Sequence, residues 1–364
     1  MIIDIHRHIV DRTWQSEQYW RSFAGTILPI LKRIGRPATI DSIVKEILPN
    51  NWDTDGSKHL ARMDEGGIEK AVIFAFDVGL ISGEPAVGIQ EQNRIIFDLA
   101  RQHPNRFIPF VHIDPRRPGA KDFVRRGIEE GGAKGLKLHP GAGFNPEEKE
   151  TLDLVESIAG KGLPVLTHTG PSGPSTSSRF CEPIYLDALL LRFPEVNFIA
   201  AHLAYGYRHP LFSLGAVRPN LFVDFSAWQT TARRRYPEFA RAVKEAVSEM
   251  GPERVLFGTD NPYLWGVMPE SRFVQSVRDL THVPPEEGRL TEAEVELILG
   301  GNAKRLLGLE ENDEWKRRVP RQDSSFRIHH SSFALTIFSG AGWRPRAAAR
   351  RSAQRAGHRP GRSG

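Results

Sequence analysis

The sequence predicts an α/β protein whose eight parallel strands close into a (β/α)8 TIM barrel, with an insertion after strand 1 and a disordered basic C-terminal tail. From the second of eight short apolar runs onward, successive runs begin 24 to 36 residues apart. The segments between them carry apolar residues every three or four positions, acidic residues near their start and glycine at their end, which is typical of helices. The eight runs are 1–8, 70–76, 106–113, 133–139, 163–169, 196–202, 220–226 and 254–260.

A doubly wound open sheet is the alternative arrangement of alternating strands and helices. A glycine-rich phosphate turn follows the first strand of that class, and no such turn follows the run at 1–8. Eight strands are also the number of a closed barrel. We therefore expect the barrel. A chain of 364 residues is long enough to bury the core of such a barrel.

Composition indicates a soluble globular protein, since 40% of the residues are hydrophobic. No apolar run approaches the length of about 18 residues that a membrane span requires. The first residues lack the basic and apolar stretches of a signal peptide. Cys181 is the single cysteine, so an internal disulfide is excluded. These features predict a cytoplasmic protein.

The formal net charge of +5 is concentrated at the C-terminus. Residues 315–364 contain 12 Lys and Arg and one acidic residue, without a hydrophobic period, as is typical of disorder. Residues 1–314 hold 37 basic and 43 acidic residues and are mildly acidic. We predict a barrel domain at 1–314 and a tail at 315–364, to which we assign no function.

Two further segments are predicted around the barrel. Residues 9–53 are too long for a simple loop and contain a predicted helix at 39–48. Because this insertion leaves strand 1 at the rim where barrel active sites lie, it is either a lid over a substrate or an aromatic cluster across the barrel mouth. Residues 291–309 predict a final helix that breaks near Gly300 and Gly301 and restarts at Asn302.

Four histidines and an aspartate lie at the ends of the predicted strands. His6 and His8 are separated by one residue on strand 1, so their side chains point to the same face. His168, His202 and Asp260 end strands 5, 6 and 8. In a closed barrel these strand ends converge on one rim, and burying five such groups without a common ligand would be costly. Converging imidazoles predict a divalent metal site.

This pattern of an early HxH, histidines after strands 5 and 6, an aspartate in GTD and the terminal GNAKRLLGL resembles the amidohydrolase superfamily. Within it, the sequence resembles the amidohydrolase-related branch that includes aminocarboxymuconate-semialdehyde decarboxylase. The resemblance covers about residues 1–309 and leaves out the tail.

The resemblance implies that His6, His8, His168 and Asp260 coordinate one divalent metal ion, most often Zn2+. It places His202 beside a metal-activated water, where a neutral imidazole can accept a proton. Asp260 would both ligate the metal and carry a proton to the leaving group. Three imidazoles and a carboxylate leave an open position for water, whose pKa zinc lowers towards about 7.

Neighbouring residues are candidates for supporting roles. Asp4 is expected either to accept an imidazole N–H from a ligand histidine or to hydrogen-bond the backbone at the strand start. Arg7 should point outward and serve the structure. Asp77, Asp114, Asp224 and Trp265 lie near other strand ends or rim loops and are candidate pocket walls.

Substrate binding is expected from Lys137, His139 and Arg179. Lys137 and His139 share one face of strand 4, and Arg179 ends a Gly/Ser/Pro-rich loop after strand 5. Each cation could bind a substrate carboxylate. The alternatives are a carboxylated Lys137 that bridges two metals as in binuclear relatives, an ion pair of Lys137 within the rim, and an exposed loop arginine at Arg179.

Three functions are compatible with these residues. The first is a metal-dependent hydrolase that attacks a C–N or C–O bond of a small acidic substrate. The second is a non-oxidative decarboxylase of an unsaturated or aromatic carboxylic acid that uses the same metal site. The third is a nucleic-acid-binding protein acting through the basic tail, which the acidic balance of residues 1–314 disfavours. We therefore expect a small carboxylate as partner, no membrane or nucleic acid, and the resemblance allows a homodimer.

Overall fold

Nine parallel strands form the centre of the described part of the protein. The structure is a computed structural model, which describes residues 1–33, 35–173 and 175–309. The predicted run at 106–113 is divided into two strands at Phe110, and each of the other seven runs gives one strand. The strands are β1 Ile3–His8, β2 Lys70–Phe74, β3 Phe107–Pro109, β4 Val111–His112, β5 Leu136–Leu138, β6 Val165–Thr167, β7 Phe198–Ala200, β8 Leu221–Asp224 and β9 Val255–Leu256.

The strands form a closed ring in chain order. β1, β2 and β3 make one sheet, β4 to β9 make a second, and every strand pairing is parallel. Phe110, between β3 and β4, donates its backbone N–H to Ile73 O on β2 at 2.9 Å, which joins the two sheets. Lys134, which precedes β5, donates to Pro109 O on β3 at 2.7 Å.

The ring closes between its first and last strands. Ile5 N donates to Phe257 O at 2.9 Å, and His8 N donates to Asn261 O at 2.8 Å. The predicted barrel is thereby confirmed, and the strand ends that carry the candidate site meet at one rim.

Apolar side chains fill the barrel interior. Burying one large apolar side chain, such as valine, leucine, isoleucine or phenylalanine, stabilises a fold by about 1.5–3 kcal/mol. The interior cluster includes Ile3, Ile5, Val72, Phe74, Ile108, Phe110, Leu166, Ile199 and Leu256. A larger apolar cluster lies between the strands and the surrounding helices.

Fourteen α-helices, several of them short, surround the described strands. They are α1 Glu17–Arg33, α2 Ile40–Ser42, α3 Ser57–Gly66, α4 Gly79–Ser82, α5 Ile89–Gln102, α6 Ala120–Glu129, α7 Lys149–Glu156, α8 Asp187–Arg192, α9 Arg208–Val217, α10 Gln229–Arg234, α11 Tyr236–Met250, α12 Glu270–Arg278, α13 Glu292–Glu296 and α14 Asn302–Leu306. Single turns of 3-10 helix lie at Arg12–Trp14, Leu48–Asn51, Pro140–Ala142, Pro183–Leu186, Pro252–Arg254, Asp279–Thr281 and Pro285–Glu287, and π-turns at Ile43–Ile47 and Leu297–Gly301. Ala201–Tyr207 is an irregular turn, in which the four residues 202–205 have positive φ.

The insertion after β1 contains more helix than the sequence predicted. The predicted helix at 39–48 is observed as α2 followed by the π-turn Ile43–Ile47. The longer helix α1 was missed, because it holds Gly25 and the internal Pro29, which both disfavour helix. Its aromatic side chains Tyr19 and Trp20 are buried.

A bulge in β1 determines which of its side chains face the barrel interior. Asp4 pairs with Ala71 and Arg7 pairs with Ile73, so three steps along β1 match two along β2. The extra residue shifts the alternation of side chains. Ile5 therefore faces the interior before the bulge, whereas Arg7 turns outward after it, as predicted.

At the predicted break near Gly300 and Gly301 the structure has a π-turn, through which the backbone stays helical. α13 begins with a capping box, in which Thr291 Oγ1 accepts from Glu294 N at 3.2 Å and the Glu294 carboxylate accepts from Thr291 N at 2.7 Å. The helix then passes through the π-turn Leu297–Gly301, and α14 begins at Asn302.

Gly300 and Gly301 should respond differently to substitution. A Cβ atom at Gly300 would lie 2.1 Å from the backbone oxygen of Met1, whereas one at Gly301 would lie 3.3 Å from Leu297 Cδ2. We expect Gly300→Ala to lower the free energy of unfolding by about 1–3 kcal/mol, because backbone must move. We expect Gly301→Ala to change it by less than about 1 kcal/mol, because a leucine side chain can adjust and alanine favours helix. Thermal unfolding of both variants measures the difference, and equal shifts would contradict the packing argument.

The predicted tail at 315–364 lies outside the described residues, and the domain boundary at 314 stays a prediction. Within the described residues, no helix combines the length and the apolar character needed to cross a bilayer.

Candidate metal centre

His6, His8 and Asp260 meet at the C-terminal rim of the barrel. The Nε2 atoms of His6 and His8 lie 3.3 and 3.2 Å from the same carboxylate oxygen, Asp260 Oδ1. Their ligand atoms all lie within 4.8 Å of one another. The chain thus brings together residues from its first strand and from the segment after its last strand, as the sequence predicted.

The hydrogen bonds of His6 indicate that this cluster fits a cation. His6 Nδ1 lies 3.0 Å from Asp224 Oδ2, and a carboxylate can only accept, so Nδ1 carries the ring proton. His6 Nε2 then presents a lone pair to Asp260 Oδ1, which is also an acceptor. Two acceptors at 3.3 Å repel each other unless a cation offsets the repulsion, and within the described residues the Lys137 ammonium, 3.2 Å from His6 Nε2, provides one positive charge there. The residues present therefore fit a divalent metal ion.

Asp4 does not accept an imidazole N–H, so that expectation is wrong. Asp4 Oδ1 accepts from the backbone N–H groups of His6 at 3.1 Å and Thr259 at 2.9 Å. The bulge in β1 places Asp4 on the outer face with Arg7, away from the imidazoles. The second alternative, a backbone-binding residue at the strand start, is the one observed.

His202 stands beside the cluster with both ring nitrogens engaged. Ser226 Oγ donates to Asp224 Oδ1, so it accepts from His202 Nδ1 at 2.8 Å. His202 Nε2 then carries the lone pair and faces His168 Nδ1 at 3.1 Å. The backbone of His202 adopts a φ of +65°, held by its N–H to Asp224 Oδ1 at 3.0 Å and by Trp228 Nε1 to its carbonyl at 2.8 Å.

His168 lies next to His202, which itself lies beside the cluster of His6, His8 and Asp260. Among the described residues, two sets have ligand atoms within 4.8 Å of one another, one formed by His6, His8 and Asp260 and the other by His6, His202 and Asp224. His168 belongs to neither set. Its Nε2 is buried without a hydrogen-bond partner in the described part of the chain.

Lys137 and His139 also reach the site. Lys137 Nζ lies 3.2 Å from His6 Nε2 and 4.8 Å from the centre of the Phe74 ring. The ring of His139 lies 4.6 Å from that of His168 and 4.6 Å from that of Phe76. Both side chains are buried at the base of the same cavity.

Arg179 is not brought to the site, contrary to the sequence expectation. Its guanidinium is exposed and stacks 5.0 Å from the ring of Phe180, which follows it in the same loop. It does not line the cavity. The exposed-arginine alternative is therefore the one observed.

A cavity of about 670 Å³ opens above the cluster. Helix α1 and the turn Leu48–Asn51 of the insertion form one side of it, so the insertion contributes to the wall. Its apolar and aromatic lining comprises Tyr19, Phe23, Ile27, Leu31, Ile47, Leu48, Phe76, Tyr263, Leu264 and Val267. Its charged lining comprises Lys137 and Asp260 at the base and Arg36, Arg233 and Arg234, which are exposed.

Burial governs the electrostatics of the base. Desolvation, reinforced by Lys137, lowers the pKa of His168 to about 3. Desolvation lowers the pKa of His202 to about 4 and that of Lys137 to about 8, although Asp260 opposes both shifts. Burial also raises the pKa of Asp260 to about 6. The imidazoles are therefore neutral, the form that binds metal ions.

Sequence reasoning did not find the role of Asp224. It was considered as a pocket wall, yet its carboxylate orients His6 directly and His202 through Ser226. The available signal was its position, since Asp224 ends β8 as His202 and Asp260 end their runs. Two other candidate walls form ion pairs: Asp77 binds Arg117, and Asp114 binds Arg116.

The sequence model of the family described as Amidohydrolase matches residues 3–309. The 2-amino-3-carboxymuconate-6-semialdehyde decarboxylase of Dictyostelium discoideum is 22% identical over 347 residues, which span 85% of this chain and 92% of that protein. Protein fluG of Emericella nidulans is 25% identical over 117 residues, which span 32% of this chain and only 13% of fluG.

Solved structures share the barrel fold at low sequence identity. The 2,6-dihydroxybenzoate decarboxylase from Rhizobium aligns with a TM-score of 0.58 and 15% identity, covering 85% of this chain and 98% of that one. The 5-carboxyvanillate decarboxylase from Novosphingobium aromaticivorans, complexed with manganese and 4-hydroxy-3-methoxy-5-nitrobenzoic acid, aligns with a TM-score of 0.58 and 16% identity, covering 85% and 96%. A probable 2-pyrone-4,6-dicarboxylic acid hydrolase from Acinetobacter baumannii gives a TM-score of 0.55 and 13% identity, covering 84% and 99%.

Proposed function

Since this chain belongs to the amidohydrolase family, as its motifs predicted, and is an enzyme of the hydrolase or carboxy-lyase kind, we propose that it is a metal-dependent, non-oxidative decarboxylase. Its substrate would be a small unsaturated or aromatic carboxylic acid. This was the second of the two enzymatic functions considered from the sequence. The curated relative that matches most of the chain, a decarboxylase, now favours it over the hydrolase.

The proposed metal ligands are His6, His8, His168 and Asp260. His6, His8 and Asp260 already converge. His168 is a further neutral imidazole at the base of the cavity, and the family resemblance implies that it is also a metal ligand. We propose one Zn2+ ion, because imidazoles and a carboxylate suit this metal. Manganese is present in the 5-carboxyvanillate decarboxylase structure, so elemental analysis of the purified protein must distinguish the two ions.

The observation that carries the proposal is the composition of the cavity. An apolar, aromatic wall encloses a base where Lys137 lies beside the metal-binding cluster. Such a wall suits a planar unsaturated ring or chain, and the buried ammonium suits its carboxylate. His139, on the same side, is proposed as a second substrate-binding residue.

The residues at the base have distinct proposed roles in the reaction. The bound metal ion would act as a Lewis acid that polarises the substrate. The bond between the substrate carbon and its carboxylate breaks, CO2 leaves, and the electron pair that remains on carbon takes up one proton. His202 and Asp260 face the reacting region and are the proposed proton carriers. The proton would be held at the lone pair of His202 Nε2, which lies 3.1 Å from His168 Nδ1 in this structure. The apolar wall limits the access of bulk water.

Hydrolysis is the second candidate, because the similar Acinetobacter structure is described as a probable hydrolase. The same metal cluster could then direct water at a C–O or C–N bond. The predicted homodimer and cytoplasmic location are retained here as proposals.

A substrate panel separates the two activities. We expect metal-loaded protein to release CO2 from hydroxylated benzoates or unsaturated dicarboxylates, detected by a coupled assay for CO2. Lactones and amides of matched size, followed by the appearance of the ring-opened or free acid, serve as the comparison. Opening of lactones or amides without CO2 release from any acid would replace the decarboxylase proposal with the hydrolase.

A further inference from the structure

A buried polar network surrounds Arg7 on the outer side of β1, directly behind the metal centre. We call it the Arg7 network, formed by Asp4, Arg7, Thr259, Asn261 and Glu270, all of them buried. The Arg7 guanidinium donates to both Glu270 oxygens at 2.9 and 2.8 Å and to Asp4 Oδ2 at 3.0 Å. One cation thus joins two carboxylates that lie on different elements, β1 and the first turn of α12.

The two carboxylates bind the residues on either side of Asp260. Asp4 accepts from Thr259 N at 2.9 Å and from Thr259 Oγ1 at 2.6 Å. Glu270 Oε1 accepts from Asn261 Nδ2 at 2.8 Å. Thr259 Oγ1 also accepts from Asn261 N at 3.2 Å, which ties the two flanking residues to each other.

Asp260 has an uncommon backbone conformation that its surroundings must hold. Its φ is +59°, in the left-handed region, which non-glycine residues seldom adopt although aspartate tolerates it better than most. This conformation turns the carboxylate towards the Nε2 atoms of His6 and His8. A residue keeps such a conformation only where its surroundings determine it.

We propose that the Arg7 network positions the Asp260 carboxylate for metal binding. Asp4, Arg7 and Glu270 are positioning residues that act through Thr259 and Asn261, and none of the five touches the reacting region. The inference rests on the proposed metal site but is independent of which bond the enzyme breaks. It differs from a purely structural role, in which the network would stabilise the barrel without affecting the metal.

Thr259→Val tests the proposal with little change of shape. Valine fills the same volume but cannot donate to Asp4 or accept from Asn261 N. We expect the affinity for Co2+, titrated into metal-free protein, to fall by about tenfold or more, as is usual when a residue that orients a ligand is lost. The visible absorption of the Co2+ protein should change as well, because the ligand field changes with the position of Asp260. Thr259→Ser retains the hydroxyl and should restore both.

Thr151→Val is the matched control. Thr151 is equally buried, on α7, and its hydroxyl donates to Asn145 O at 3.2 Å. It should leave Co2+ affinity at the wild-type value. Wild-type affinity in Thr259→Val, an equal loss in Thr151→Val, or failure of Thr259→Ser to restore binding would each overturn the inference.

Asn261→Ala provides a second route if Thr259→Val does not fold, because it removes the amide that Glu270 binds. The same loss of Co2+ affinity is expected, and wild-type affinity would overturn the proposal. If wild-type protein binds no Co2+, the metal centre itself is wrong. If it binds Co2+ but releases no CO2, only the decarboxylase assignment fails.

Discussion

Replacing His6 or Asp260 with alanine should remove both the metal and the activity. Each substitution deletes one of the groups that converge on the metal position and leaves the other lone pairs without a common ligand. Both residues lie at the rim, so the barrel should stay folded, as circular dichroism would verify. Metal content by elemental analysis and turnover of the identified substrate are the two measurements.

His202→Ala should separate metal binding from catalysis. We expect this variant to keep most of its metal but to lose about 100-fold to 10,000-fold in kcat, the usual contribution of a general acid or base. His282→Ala, which removes an exposed histidine outside the cavity, is the control and should retain both properties. A chelator should inactivate wild-type protein, and the added ion should restore it. Equal loss of metal in His6→Ala, Asp260→Ala and His202→Ala would show that the roles of ligand and proton carrier are wrongly divided.

Arg7→Met should be among the most destabilising substitutions in the barrel. Methionine approximates the aliphatic part of arginine but leaves the carboxylates of Asp4 and Glu270 buried without their cation. Removing one partner of a buried ion pair lowers the free energy of unfolding by about 3–5 kcal/mol. Arg94→Met removes an exposed arginine that binds Glu91 and should change the free energy of unfolding far less, because solvent screens an exposed ion pair. Urea denaturation of both variants measures the contrast.

The effect of Arg7→Met should shrink at acid pH. Burial alone would raise the pKa of Glu270. Arg7, together with the hydrogen bonds that Trp265 and Asn261 donate to Glu270, holds this pKa below the ordinary value. The unfolded chain therefore binds the proton more readily, so this contribution to stability is present above the unfolded pKa of Glu270 and is lost as pH falls through the folded one. Without Arg7, burial would raise the pKa of Glu270, so that protonation would relieve the buried charge at a higher pH. A difference in stability that stays constant between neutral and acid pH would contradict a charged Glu270.

The fold and the centre of the site could be predicted because both follow from periodic patterns. Alternating strands and helices specify a barrel, and the ends of barrel strands meet whatever their separation in sequence. His6, His8 and Asp260 therefore came together as expected. The residues that orient them were harder to find, since Asp224 and Ser226 act through contacts that only the folded chain creates.

The errors have local physical causes. The expectation for Asp4 assumed strict alternation along β1, which one extra residue in the bulge reversed. The expectation that Arg179 binds substrate required a loop conformation that the sequence does not specify. The side chain instead stacks on its neighbour Phe180. Helix α1 was missed because Gly25 and Pro29 interrupt its local preference, although burial of its aromatic side chains stabilises it.

The ring closes through hydrogen bonds of Ile5 with Phe257 and of His8 with Asn261, and this closure affects the order in which the site forms during synthesis. A chain still emerging from the ribosome displays its HxH motif early but lacks the carboxylate of Asp260 until almost the whole barrel has been synthesised. The proposed metal ion could thus meet its full set of ligands only after translation has passed the last strand. A chain that ends before this segment would retain His6 and His8 but lack Asp260, and with it one of the proposed ligands.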